Sequence, residues 1–140
     1  MKQPIRILIA KPGLDGHTRG ALVIARGLME AGMHVLYSGL RKTPEQIVEM
    51  AVRNRVDLVG LSSLSGAHMS WFPEVMRLLR QKRPDMPVIC GGIIPEEDIP
   101  KLREMGISAI FPPGTEIRTV VSFIRENIGK DAPSQIRISG

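Results

Sequence analysis

Five apolar runs alternate with five amphipathic segments along this chain, and that alternation restricts it to a parallel sheet wrapped by helices. The runs fall at about residues 5 to 10, in "MHVLYSG", in "DLVGLSSL", in "PVICGG" and in "SAIFPPGT". The third has no polar residue between Asp57 and Ser62, as a central parallel strand buried on both faces requires. Between the runs, a helix is predicted from about Thr18 to Ala31, with Leu22, Val23, Ala25, Leu28 and Met29 on one stripe and Gly32 as its stop. "TPEQIVEMAVRN" carries Thr43 as N-cap, Pro44 in the first turn and Gln46 to complete a capping box. Further helices are predicted from about His68 to Lys82, in "PEEDIPKLREMG" between Pro95 and Gly106, and in "EIRTVVSFIRENI". The expected fold is a doubly wound, five-stranded, flavodoxin-like α/β domain.

At 140 residues, 43% of them hydrophobic, the chain suits one domain, expected over residues 1–128, with 129–140 as a loose tail. No apolar run approaches the roughly 20 residues of a membrane span, so no membrane role is expected. The charged opening "MKQPIRILIA" does not read as a secretory leader. The single cysteine, Cys90, can form no internal disulfide, which points to the cytoplasm, and in "PVIC" it reads as a small buried residue. The net charge of +5 invites a nucleic-acid reading, but only 4% of residues are aromatic and the cations crowd helix ends such as "RLLRQKR". No nucleic-acid partner is expected.

In doubly wound sheets, ligands bind beyond the carboxyl ends of the strands. Here those ends read "KPGLDGH", "SSLSGAH", "GGIIP" and "PPGT" after the first, third, fourth and fifth strands. One glycine turn would mean little, but glycine at four ends of one rim suggests a single large ligand lying across the domain. The glycines do not spell G-x-G-x-x-G or a P-loop. The third strand ends in Ser62 where a phosphoacceptor receiver would need an aspartate, and Cys90 with scattered histidines makes a poor zinc set.

Asp15 and His17 remain. A neutral imidazole ligates transition metals well, and a carboxylate on its other nitrogen fixes its tautomer and basicity; Lys11 could hold that carboxylate ionised. An isolated D-x-H reads more simply as a turn residue followed by a solvated histidine. Ser62 and Gly91-Gly92, taken singly, read as an ordinary strand end and an ordinary turn.

Taken together, Asp15-x-His17-x-x-Gly20, then Ser62-x-Leu64, then Gly91-Gly92 resemble the cobalamin-binding domain of mutases and methionine synthase. The resemblance covers residues 5 to 128. "AKPGLDGH", "TPEQIV", "LSGAH", "GGIIPEEDIP" and "PPGT" look most like the small subunit of methylmalonyl-CoA mutase and related acyl-CoA mutases. Two positions depart from the common pattern, both outside the signature: "FPPGT", where glycine commonly stands before the proline, and Thr18, often acidic.

The resemblance implies roles residue by residue. His17 would be the lower axial ligand of cobalt, Asp15 would accept its ring N–H, and Lys11 would back Asp15, with Gly16 in the same loop. The displaced benzimidazole tail would enter a slot beside the sheet lined by Ser62 and Leu64. Gly20, Gly91 and Gly92 would let it pass close to backbone, and Gly114 and Thr115 would close the far side. His68 is read as a corrin-edge or helix-capping residue, His34 as structural, and Trp71 and Phe72 as packing or a partner patch. The implied cofactor is adenosylcobalamin, and the implied reaction is a radical carbon-skeleton isomerisation of an acyl-CoA. The implied partner is a large (β/α)8-barrel subunit that binds the acyl-CoA, without which this chain would be inactive. Relatives acting on 2-hydroxyisobutyryl-CoA or isobutyryl-CoA share the pattern. A corrinoid carrier for methyl transfer is an alternative, although such proteins usually place a helical cap ahead of the sheet. A regulatory module without corrinoid would require the three-part signature to be accidental.

Overall fold

Each of the five apolar runs forms a strand, and the strands pair in parallel. The computed structural model describes residues 4–10, 19–39, 42–63 and 68–128. The strands are β1 (Arg6–Ala10), β2 (His34–Tyr37), β3 (Leu58–Ser63), β4 (Val88–Gly92) and β5 (Ala109–Phe111). The helices are α1 (Arg19–Glu30), α2 (Pro44–Arg53), α3 (His68–Lys82), α4 (Ile99–Glu104) and α5 (Ile117–Asn127). The sheet order is β2-β1-β3-β4-β5, so the expected flavodoxin-like winding is borne out. The chain reverses direction across the sheet between β1 and β3, which places the switch point there. The C-terminal segment 129–140 lies outside the described residues.

Alternation along the strands divides the core in two. Leu8, Ala10, Val59, Leu61, Val88 and Cys90 face α2, α3 and α4, where Ile47, Phe72, Val75, Leu79 and Leu102 close over them. Ile7, Ile9, Leu58, Ile89 and Ala109 face α1 and α5, which supply Ala21, Ala25, Leu28, Val120 and Ile124. Phe72 is completely buried, as a packing residue should be, and His34 is exposed at the start of β2. The Arg80 guanidinium ties α3 to the strand entries by donating to the carbonyls of Met86 at 2.7 Å and Gly106 at 3.3 Å.

Local signals set the helix ends. The Thr43 hydroxyl accepts the Gln46 N–H at 3.1 Å while the Thr43 N–H donates to the Gln46 side chain at 2.9 Å, the capping box read from the sequence. Gly32 and Gly106 adopt φ of +95° and +107° just beyond α1 and α4, a conformation that only glycine takes without strain.

Two expectations need correction. The stripe assigned to α1 is only half right: Ala25 and Leu28 are buried, but Leu22, Val23 and Met29 are exposed. The inward face runs through Ala21, Ala25 and Leu28 at helical spacing, and the small alanines carry too little hydrophobic weight to mark it. The segment from Pro95 is also not one helix. Glu96–Asp98 form a 3-10 turn and the α-helix starts at Ile99. Pro100 has no N–H to give the Glu96 carbonyl, and its ring would clash there, so it fits only a first turn.

Gly27 sits where α1 crosses the start of α5. A Cβ there would overlap Cγ1 of Ile117 and lie 3.3 Å from its Cβ, an atom close to the backbone that cannot swing away. Gly27→Ala is therefore expected to destabilise the domain by about 1–3 kcal/mol through overpacking, although alanine favours helix by roughly 1 kcal/mol. Urea unfolding measures the difference; a more stable variant would show that the helices separate freely.

Candidate functional site

The carboxyl ends of β1, β3, β4 and β5 open into one cavity of about 640 Å³, on the face of the sheet covered by α1 and α5. Its floor is the sheet itself. Pairing in register puts Ile9, Gly60, Ile89 and Ala109 on one rung, and Ser62, Gly91 and Phe111 on the next rung toward the carboxyl edge. Residues paired across parallel strands point to the same face, so the floor has glycine at its centre on both rungs.

Neither central glycine is in a turn. A Cβ on Gly91 would lie 3.2 Å from the Phe111 carbonyl oxygen, a backbone atom that cannot give way. On Gly60 it would lie 2.9 Å from Cδ1 of Ile9 and 3.7 Å from Cγ1 of Ile89. Gly92, at the end of β4, has φ +118° and turns the chain out of the sheet.

The walls come from three elements. Ala21 and Ile24 of α1 form one side, with exposed Val23 at the mouth. Val120 of α5 contributes the opposite side, and Phe111 is braced edge-on by Phe123 at a centroid distance of 5.7 Å. The rim beyond β5 is the turn Pro112–Thr115. There Gly114 has φ +88°, and the Thr115 hydroxyl donates to the Pro112 carbonyl at 2.6 Å. Thr115 is thereby engaged in its own turn. Ser62 is half-buried and presents the other hydroxyl among the lining residues. The arrangement can hold a flat, largely apolar group against bare backbone, with one hydroxyl at its edge.

The structure thus brings Ser62, Gly91, Gly92, Gly114 and Thr115, five positions singled out from the sequence, around one cavity. Gly20 lies in the first turn of α1. Lys11, Asp15, Gly16, His17 and Leu64 lie outside the described residues. In the sequence these positions follow β1 and β3, the strands flanking the switch point. Sequence reasoning passed over Gly60, Phe111 and Ala21, which also line the cavity. The signal for Gly60 was present: a glycine inside an apolar central strand, two residues before Ser62 and so on the same face. Cys90 belongs to the core on the opposite face, where burial pushes its thiol up to about 12. Among the described residues no three His, Cys, Asp or Glu side chains converge on a point, and no helix is long and apolar enough to cross a membrane.

A doubly wound domain with an apolar slot beside its switch point is a ligand-binding domain of the flavodoxin-like class. Its sequence places it more closely. Residues 5–122 match the B12 binding domain family, and the chain belongs to that family, as the three-part signature implied. It is 44% identical over 123 residues to the 2-hydroxyisobutanoyl-CoA mutase small subunit of Aquincola tertiaricarbonis, a match covering 87% of this chain and 90% of that one. It is 43% identical over 127 residues to the methylmalonyl-CoA mutase of Escherichia coli, of which the match covers only 18%. Among solved structures, a cobalamin-binding protein from Desulfitobacterium hafniense superposes with a TM-score of 0.73 at 23% identity, over 88% of this chain and 58% of that one, a likeness of fold.

With its thiol held neutral and buried in the core, Cys90 should resist alkylation. Iodoacetamide labelling at pH 8 is expected to be about a hundredfold or more slower in the native chain than in urea. Mass spectrometry follows the adduct; equal rates would place Cys90 outside the core.

Proposed function

We propose that this chain is the adenosylcobalamin-binding small subunit of a heteromeric acyl-CoA mutase. The observation that carries the reading is the match to the Aquincola tertiaricarbonis protein: a separate small subunit of such a mutase corresponds to this chain over 90% of its length. In the methylmalonyl-CoA mutase of Escherichia coli the matching segment is a minor part of a much longer chain. The remaining machinery, an acyl-CoA-binding (β/α)8 barrel, is then a separate partner, and the small subunit is inactive without it. Substrate choice between methylmalonyl-CoA and 2-hydroxyisobutyryl-CoA rests with that partner, and both subunits work in the cytoplasm.

The slot suits the nucleotide tail of a cobalamin whose benzimidazole has left the metal. A planar aromatic base needs two close faces, and the bare rungs at Gly60 and Gly91 offer backbone on one side with α1 on the other. The Ser62 hydroxyl can donate to the base nitrogen. Leu64 adds an apolar wall, Gly20 and Gly92 spare room for the tail, and the Gly114-Thr115 turn closes the far side.

His17 is the metal ligand in this reading. Asp15 accepts the N–H of its other ring nitrogen, which fixes the tautomer that leaves a lone pair for cobalt, and Lys11 keeps Asp15 ionised. Gly16 belongs to the same cofactor-binding set. When bound, the cofactor supplies the homolytic cobalt–carbon chemistry of the isomerisation. The protein's part is to hold the tail, present the imidazole and offer the opposite corrin face to the partner.

Absorbance titration of the chain with adenosylcobalamin and hydroxocobalamin, beside His17→Ala, tests this. The wild type should shift to the spectrum of histidine-ligated cobalt with benzimidazole displaced, and the variant should not. Adding a barrel subunit should then give isomerisation of its acyl-CoA with the wild type. Identical spectra for the two proteins would remove His17 from the cobalt, and no binding even with a barrel subunit present would overturn the corrinoid reading.

A further inference from the structure

We propose that Phe123, on α5 and outside the cavity, is a positioning residue for cofactor binding: it holds the Phe111 ring in place as the end wall of the slot. The inference rests on the corrinoid reading above. Phe123 is not among the residues that line the cavity, whereas Phe111 is. Both are half-buried against the core beneath α1 and α5. Their ring centroids lie 5.7 Å apart with the planes at 76°, the edge-to-face arrangement that aromatic pairs prefer.

The sheet gives the Phe111 ring little to lean on. Phe111 is the last residue of β5, an edge strand of three residues, and no described strand pairs with its outer side. Its partner across the strand pair is Gly91, which has no side chain. The preceding residue on the same face is Ala109, whose methyl is too short to wedge a ring. Pro112 restricts the Phe111 backbone to extended conformations but leaves its side-chain torsions free. Nothing in the strand therefore decides whether the ring stands at the end of the slot or swings toward the open edge. The brace comes from α5. Val120 reaches the slot itself, and Phe123, three residues on along that helix, meets the Phe111 ring.

An anchoring explanation competes with this one, because the same ring pair also fastens α5 to an edge strand. The two explanations separate by ligand and by ring. Fastening alone would lower the stability of the domain and weaken every corrinoid alike. A role exercised through Phe111 affects only a ligand whose tail enters the slot, and it vanishes once the Phe111 ring is gone.

The test titrates Phe123→Leu and Phe123→Tyr, beside the wild type, with hydroxocobalamin and with aquocobinamide, which lacks the nucleotide tail. Thermal unfolding reports the fold. Phe123→Leu is expected to lose about three- to tenfold in cobalamin affinity, the worth of one aromatic pair, and to keep its cobinamide affinity. Phe123→Tyr, which retains a ring at the same place, should bind both ligands as the wild type does. Phe111→Leu/Phe123→Leu should bind cobalamin no more weakly than Phe111→Leu alone, since the brace then has nothing to hold. Phe123→Met serves as the test if the leucine variant is poorly folded. Unchanged cobalamin affinity in Phe123→Leu, equal losses for both ligands, or a full further loss in the Phe111→Leu background would overturn the role assigned to Phe123 while leaving the corrinoid reading intact. A wild type that binds neither corrinoid would instead overturn that reading and the proposal with it.

Discussion

The parallel pairing of β1 with β3 is the constraint on which the rest of this molecule depends. Ile7, Leu8, Ile9 and Ala10 lie opposite Leu58, Val59, Gly60 and Leu61, and the chain winds away from this seam in opposite directions. α1 and α5 fall on one face and α2, α3 and α4 on the other, so the helices that follow β1 and β3 in the chain lie on opposite sides of the sheet. A ligand can be gripped from both sides there without any helix being displaced. Shift that pairing by one residue and Gly60 and Ser62 would turn to the opposite face, closing the slot with Leu61.

The two faces of the sheet answer different needs. Against α2, α3 and α4 it meets large, wholly buried side chains, with Phe72, Leu79 and Leu102 filling the space. Against α1 it meets Leu28 and, nearer the helix start, only Ala21 and Ala25, and the floor beside the cavity includes two glycines. Native interiors are packed to crystal density, so small residues facing small residues leave volume that the chain does not fill. Here that volume runs to the carboxyl edge and becomes the slot. The Gly27 contact contributes as well, since drawing α1 onto the first turn of α5 fixes the spacing between the helices that wall it.

Much of this was legible in the sequence, for identifiable reasons. The central strand announced itself in "DLVGLSSL" because burial on both faces permits no polar residue, and the capping box at Thr43 and Gln46 is a local device that the neighbouring chain does not override. The glycines at the strand ends pointed to the correct rim. The inward face of α1 was less legible: Leu22, Val23 and Met29 are the stronger hydrophobes, yet the small Ala21 and Ala25 face the sheet with Leu28. The break at Ile99 was missed because acids, proline and a terminal glycine all read as one helix. Only the position of Pro100 relative to the Glu96 carbonyl divides it.

Gly60 shows why a ligand site is harder to read than a core. Core positions repeat with the period of their element, so each supports the next. A residue whose purpose is to leave room has no partner in the chain, and its signal is a break in a pattern that is otherwise kept. Gly60 and Gly91 both interrupt central strands where a β-branched residue would add packing and strand propensity. Each forgoes about 0.5–1 kcal/mol relative to even an alanine. Gly91 has a structural account in the Phe111 carbonyl, which would meet any Cβ. At Gly60 the one tight contact would be the tip of Ile9, with Cγ1 of Ile89 and the Leu8 carbonyl oxygen at ordinary van der Waals distances. The two glycines thus differ in what a side chain would meet: a backbone oxygen at Gly91, and the end of a flexible side chain at Gly60.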